Sequence, residues 1–153
     1  MELRPANPTT ETARIIVDFL TRNHTTDMKY FPKPERLFEK YNFYAMVHEG
    51  EVVGWTSYSE LSDWLAMTHA TCVDPKHRGK GFGKEASYQM LDVLREKGFG
   101  KVCCEIYSDN HRMLKVKVDQ GFVVEGYRKD HYDPGKHEYA LGKILDEDFI
   151  SKG

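Results

Sequence analysis

The stretch Val73-Asp74-Pro75-Lys76-His77-Arg78-Gly79-Lys80-Gly81-Phe82-Gly83-Lys84 decides the reading of this chain. An apolar run ends at Val73, and a proline two residues on cannot extend a central strand. A basic, glycine-rich turn follows. From Lys84 to Lys97, Ala86, Met90, Leu91 and Leu94 mark one face of a helix that Gly98 stops. Backbone N–H groups at a helix start lack intrahelical partners, and the helix dipole adds positive potential there. Gly79, Gly81 and Gly83 let an anion approach the main chain, and Arg78, Lys80 and Lys84 add charge. A pyrophosphate suits such a turn.

A Walker A loop needs Ser or Thr after its lysine, and Glu85 follows Lys84, so that pattern fails. Gly81-Phe82-Gly83-Lys84-Glu85-Ala86 fits G-x-G-x-x-A of the dinucleotide fingerprint. That fingerprint opens a helix directly after an apolar strand, whereas a polar Asp-Pro-Lys-His-Arg segment intervenes here. A basic solvated turn, with glycines for geometry alone, is the remaining alternative.

Outward from the turn, the apolar period alternates between strand and helix. Leu3 to Pro5 reads as a short strand, and Thr10 to Thr21 as a helix capped by Thr10 with Ile15, Ile16, Phe19 and Leu20 on one face. Asn23 to Pro34 reads as a loop, and Pro34 to Tyr41 as a short helix. Phe43–Val47 and Val52–Tyr58 are strands joined by a turn at Glu49-Gly50. Ala66–Val73 is a further strand, as are Lys101–Tyr107, Phe122–Tyr127 and Glu138–Leu145, with a helix over Asn110–Gln120. This order predicts one α/β (α+β) domain over residues 1–153: a mixed, mostly antiparallel sheet of six to seven strands with about four helices on its faces.

The 153 residues are 40% hydrophobic and 30% charged, with a net charge of -2. No global positive field attracts nucleic acid or an anionic membrane, and no apolar stretch approaches the ~20 residues of a membrane span. Cys72, Cys103 and Cys104 lack CxxC spacing, which argues for buried reduced thiols and against a metal site. The N-terminus lacks signal-peptide regions, so a cytoplasmic location is expected, as a monomer or homodimer.

Arg78-Gly79-Lys80-Gly81-Phe82-Gly83 resembles the [RQ]-x-x-G-x-[GA] acetyl-CoA motif of the GNAT acetyltransferase superfamily, and Asn110 with Gly121-Phe122 matches its N-x(10)-G-F pattern. The similarity runs from about Trp55 to Phe149. The resemblance implies the GNAT fold, acetyl-CoA as donor without metal, and a pantetheine arm between two splayed central parallel strands, Ala66–Val73 and Lys101–Tyr107. It places Cys72, Val73, His77, Arg78, Gly79, Lys80, Gly81, Phe82, Gly83, Lys84 and Asn110 against the donor. It implies an N-acetyltransferase acting on a primary amine of a small molecule such as an amino sugar or polyamine. Acetylation of a protein N-terminus is the alternative, and an idle acyl-CoA-binding sensor is the alternative of another class.

Acetyl transfer needs a neutral amine, and a general base helps to supply it. Strand alternation puts Cys103, Glu105 and Tyr107 on one face, and a carboxylate inside an apolar strand is costly unless it is paired or used. Glu105 is therefore either the base or one half of an ion pair. Ribosomal-protein N-terminal acetyltransferases, which this chain resembles, carry a catalytic Glu five residues before the motif Asn, as Glu105 precedes Asn110. Those enzymes place a thiolate-protonating tyrosine seven residues after that Asn, where this chain has Lys117. Lys117 is either a cationic proton donor or an exposed helical lysine. His69 is a second candidate base, with an ordinary core or surface histidine as its alternative. Tyr30, Trp64, Tyr107 and Tyr132 are candidates to line the acceptor.

Overall fold

The computed structural model describes residues 1–23 and 32–152. Contacts divide the chain into two units, residues 1–60 with 69–90 and residues 61–68 with 91–153. Among the described residues eight strands and five α-helices form, with β4 and β6 parallel and the other registered pairs antiparallel.

In the first unit, β1 (Glu2–Pro5) pairs with β2 (Asn42–His48), and β2 with β3 (Glu51–Glu60). The β2–β3 turn uses left-handed backbone at both Glu49 (φ 51°) and Gly50 (φ 78°), the geometry that matches strand twist in a two-residue hairpin. Helix α1 (Thr10–Asn23) turns Ala13, Ile16 and Leu20 inward, against Leu37 of α2 (Leu37–Lys40), Phe43, Trp55 and Cys72. Thr9, one residue before the expected cap, holds its start: its hydroxyl accepts from Thr12 N–H (3.2 Å) and its carbonyl from Ala13 N–H (2.9 Å). Gln89 fastens the N-terminal strand by accepting from Leu3 N–H and donating to the Met1 carbonyl, both at 2.9 Å.

The strand expected over Ala66–Val73 is two pieces. β4 (Leu65–Thr68) belongs to the second unit, and β5 (Cys72–Val73) pairs antiparallel with β3 in the first. Between them, His69 N–H reaches the Ser57 carbonyl at 2.9 Å, and Thr56 and Thr71 join hydroxyls at 2.9 Å. A polar His-Ala-Thr segment thus satisfies itself on β3 while the ladder is interrupted.

The second unit is built on β6 (Lys101–Tyr107). Parallel to it lies β4, in register at Leu65↔Lys101, Ala66↔Val102 and Met67↔Cys103, and the ladder ends there. On its other side β8 (Glu138–Ile144) runs antiparallel, followed by β7 (Val123–Arg128). Val102, Cys104 and Ile106 are buried on one face, while Lys101, Cys103, Glu105 and Tyr107 are half-buried on the other. Helix α4 (His111–Asp119) follows β6, and the chain ends in α5 (Glu147–Lys152). Among the described residues no helix is long and apolar enough to cross a membrane.

Gly54 marks the closest backbone approach in the first unit. A Cβ there would lie 2.4 Å from the Cys72 carbonyl oxygen, and a main-chain atom cannot swing aside. Gly54→Ala is therefore expected to cost about 1–3 kcal/mol, the range for overpacking. Thermal unfolding checks this, with a Tm drop of roughly 2–12 °C expected for a domain of this size.

Candidate functional site

The glycine-rich loop of the first unit has the predicted shape. Helix α3 (Phe82–Glu96) begins two residues earlier than the apolar pattern alone indicates. Gly79 and Gly81 adopt φ of 78° and 81°, which side-chain-bearing residues rarely do. Asp74 folds the entrance by accepting from Lys76 N–H at 3.0 Å. Lys80 and Lys84 are exposed and make no ion pair among the described residues, so their charge is available to an anion. Arg78 is committed elsewhere: its Nε donates to the Val73 carbonyl (3.1 Å) and its Nη2 to the Asn23 carbonyl (2.9 Å). It braces the loop against the end of α1. His77 lies beside Glu51 (3.7 Å), with its Nδ1 buried and unpartnered. Phe82 and Cys72 are buried, and burial pushes the Cys72 thiol up.

In the second unit, β6, β8 and β7 bring four side chains together. One Arg128 nitrogen, Nη1, donates to Glu105 Oε1 at 3.0 Å and to Glu138 Oε1 at 2.7 Å. The Tyr132 hydroxyl donates to the other Glu105 oxygen at 2.5 Å. Register makes the ion pairs possible: Arg128 lies directly across from Glu138, and Glu138 across from Tyr107 on the face that carries Glu105. The Glu105 side chain is 21% exposed, Arg128 40% and Glu138 only 3%. Burial pushes the Glu138 carboxyl above its ordinary value, against the lowering effect of Arg128. Burial, and then the bond to Glu105, also push the Tyr132 phenol up. The Tyr132 loop is pinned at its base, where Asp130 accepts from Gly135 N–H at 2.6 Å and donates its own N–H to His137 Nδ1 at 3.0 Å. The cluster carries two carboxylates on one guanidinium, with the Tyr132 hydroxyl on Glu105.

Of the two expectations for Glu105, the structure shows the ion pair: the carboxylate is held by Arg128, with 21% of its side chain exposed. Arg128 and Glu138 are functional candidates that sequence reasoning missed. The signal for Glu138 was a carboxylate opening an apolar strand, parallel to the signal at Glu105.

The remaining candidates sit in varied surroundings. Asn110 caps α4, its Oδ1 accepting from Met113 N–H at 3.2 Å. His69 bonds Ser59 through Nε2 at 2.6 Å and meets the Tyr41 ring edge-on at 4.8 Å. Lys117 is not the exposed helical lysine of one reading: it is buried, with Nζ 5.0 Å from the Phe122 ring centre. Burial lowers the Lys117 ammonium pKa. Lys117 lies near Cys104, whose side chain points to the face of β6 opposite Glu105, so the structure does not bring Lys117 and Glu105 together. The Cys104 thiol is pushed up to about 11 by burial. Trp64 packs on Phe149 at 5.4 Å, and Tyr107 has Lys136 Nζ over its ring at 5.8 Å. Tyr30 lies outside the described residues. Among the described residues no three His, Cys, Asp or Glu side chains are grouped to hold a metal.

A sequence model of the acetyltransferase (GNAT) family matches residues 11–122. The chain is 30% identical over 76 residues to the L-amino acid N-acyltransferase MnaT of Escherichia coli, covering 45% of this chain and 44% of that protein. It is 30% identical over 86 residues to the N-alpha-acetyltransferase RimI of Mycobacterium tuberculosis, covering 54% and 52%. The matched stretch spans about half the length of each relative. Among solved structures, a ribosomal-protein alanine N-acetyltransferase from Escherichia coli superposes with a TM-score of 0.77 at 15% identity, over 94% of each chain. Mutant forms of the spermidine/spermine N-acetyltransferase SpeG from Vibrio cholerae superpose at 0.78 and 14% identity, over 99% of this chain and 98% of theirs. At such identities the likeness is one of fold.

The raised Glu138 carboxyl has a measurable consequence. A folded pKa above the unfolded value of 4.5 means that the folded state holds this proton more tightly. Its contribution to stability is full below pH 4.5 and is lost as pH rises through the folded pKa. Glu138→Gln removes that loss. The Tm of the variant minus that of wild type should climb as pH rises from 4.5. A difference that falls with pH would show the carboxyl shifted the other way.

Proposed function

The chain belongs to the acetyltransferase (GNAT) family, and we propose that it moves an acetyl group from acetyl-CoA to the primary amine of a small molecule. The observation that carries the acceptor reading is the net negative cluster of Glu105, Glu138 and Arg128. An amine arrives as an ammonium ion near neutral pH, and two carboxylates sharing one guanidinium leave a surplus of negative charge to receive it. Tyr107 and Tyr132 flank the cluster with ring surface that suits a compact organic amine. The similarity to a relative named for free L-amino acids favours a small acceptor. The similarity to relatives that act on protein N-termini keeps a peptide acceptor as the second reading.

The donor's pyrophosphate is assigned to the Gly79–Lys84 turn, where positive-φ glycines, exposed Lys80 and Lys84 and the start of α3 supply donors and charge. Arg78 shapes that turn rather than meeting the phosphates itself. Cys72, Val73, His77 and Asn110 complete the donor side by the family pattern.

In the reaction the ammonium first gives one proton to Glu105, directly or through a water. The neutral nitrogen then attacks the thioester carbonyl carbon, the C–N bond forms, and the C–S bond breaks with its electron pair on sulfur. The nitrogen sheds its second proton, and the thiolate takes one from solvent. The Arg128 and Tyr132 bonds hold the Glu105 carboxylate in one orientation, so that little positional freedom is lost when the amine docks. His69, oriented by Ser59, is the reserve assignment for the base.

Three outcomes test this account. Release of free thiol from acetyl-CoA should require an amine, and amino acids, amino sugars or polyamines should support it better than short peptides. A reversed order selects the peptide reading, and no turnover with any amine selects a CoA-binding sensor.

Gly83→Asp should weaken CoA binding at least tenfold, about 1.4 kcal/mol, with the fold intact. It is a cleaner variant than Gly81→Asp, because Gly83 lies in the first turn of α3 with ordinary helical backbone. Calorimetry showing unchanged CoA affinity would remove the loop from the site.

Glu105→Gln should lower kcat by ~10²–10⁴-fold and alter the ascending limb of the pH profile while CoA affinity holds. Because Glu105 also pairs with Arg128, some loss of Tm is expected alongside. Near-normal turnover with reduced Tm and an unchanged pH profile would leave Glu105 a purely structural partner.

A further inference from the structure

Strand β7 carries one residue more than its partner can match. Val124 lies across from Leu141 and Gly126 across from Ala140, so Glu125 is the extra residue of a β-bulge. Directly paired residues share a sheet face. The ladders therefore align Val123 with Gly142 and Cys103, Gly126 with Ala140 and Glu105, and Arg128 with Glu138 and Tyr107. The phase at the start of β7 is fixed beforehand, because Phe122 is buried and its N–H reaches the Lys117 carbonyl at 3.0 Å. Counted by twos from Val123, an unbroken strand would put Glu125 and Tyr127 on the Glu105 face and turn Arg128 to the opposite one. The bulge returns Arg128 to Glu105. Its extra residue is also tied down. The Glu125 carboxylate meets the half-buried Lys101 at 2.7 Å. It lies over Gly142, where a Cβ would come within 2.7 Å of the Glu125 Cδ.

We propose that Glu125 is a positioning residue: with Lys101 and Gly142 it locks the bulge between Val124 and Gly126, and so keeps the Arg128 guanidinium on Glu105 and Glu138. Without the lock the extra residue can move along β7 toward Arg128, and each residue it passes changes face. Once it has passed Tyr127, that tyrosine stands across from Glu138, and Arg128 turns to the far face. Glu125 acts through Arg128 and not on the substrate. Its effect on turnover rests on the reading of Glu105 as the base, whereas its effect on where Arg128 lies does not.

Variants of the full chain test the lock. Glu125→Ala keeps the length of β7 and removes the carboxylate. It should lower kcat by ~10–10²-fold, the scale of a misplaced catalytic group, with CoA affinity unchanged. Arg128→Ala should lower the Tm of wild type. In the Glu125→Ala background it should lower Tm little further, because the guanidinium has already left its carboxylates. Deleting Glu125 altogether removes the extra residue, so plain alternation carries Arg128 back to the Glu105 face. The deletion should return kcat to near the wild-type value and restore the full Tm cost of Arg128→Ala. A merely structural ion pair with Lys101 would make the deletion at least as damaging as the substitution. That result overturns the proposal, and so does an undiminished Arg128→Ala cost in the Glu125→Ala background. Normal kcat in Glu125→Ala, beside a lost Arg128→Ala cost, leaves the lock standing and removes Glu105 as the base. Lys101→Met frees the carboxylate with the extra residue in place. It should reproduce Glu125→Ala, and serves as the second variant if that one does not fold.

Discussion

One guanidinium nitrogen sets the character of the second unit. Arg128 Nη1 lies within 3.0 Å of Glu105 and 2.7 Å of Glu138, carboxylates from two neighbouring strands that would otherwise repel across one sheet face. The register of β6, β8 and β7 makes this meeting possible, and the ion pairs in turn hold that register. Removing Arg128 would leave Glu138, 3% exposed, without its cation, which is the costly way to break a buried pair. The Tyr132 hydroxyl on Glu105 extends the same network into the 129–137 loop.

The two units carry opposite electrostatic tasks. The Gly79–Lys84 turn of the first is positive, with backbone donors at a helix start, and suits the phosphates of a donor. The Glu105–Glu138 cluster of the second has surplus negative charge and suits an ammonium acceptor. With a net charge of -2 the chain as a whole has no strong field, so recognition rests on these local contrasts rather than on long-range steering.

What could be read from the residues alone followed from local rules. The β2–β3 turn at Glu49-Gly50, the bounds of β6 and the glycine-rich turn before α3 depend on nearest neighbours along the chain. Glu105 stood out because strand alternation put a carboxylate among apolar residues. Its partners were not legible, since Arg128 is 23 residues away and meets it only through the pairing of three strands. The break between Thr68 and Cys72 was hidden for a related reason: the polar segment His69–Thr71 satisfies its groups on β3, which an apolar-period reading does not count. Lys117 misled because helical periodicity assigns lysine to solvent, whereas Lys117 is buried on α4. The cap at Thr9 rather than Thr10 is a choice between adjacent equal residues that only the first turn's hydrogen bonds decide.

The central claim is that Glu105 receives the acceptor's amine. A crystal structure of the chain with CoA and a turnover-competent primary amine measures this directly. The account predicts the amine nitrogen within ~3.2 Å of a Glu105 carboxylate oxygen, or one water away from it. An amine bound elsewhere, with Glu105 still closed between Arg128 and Tyr132 and no water path to the nitrogen, would contradict it.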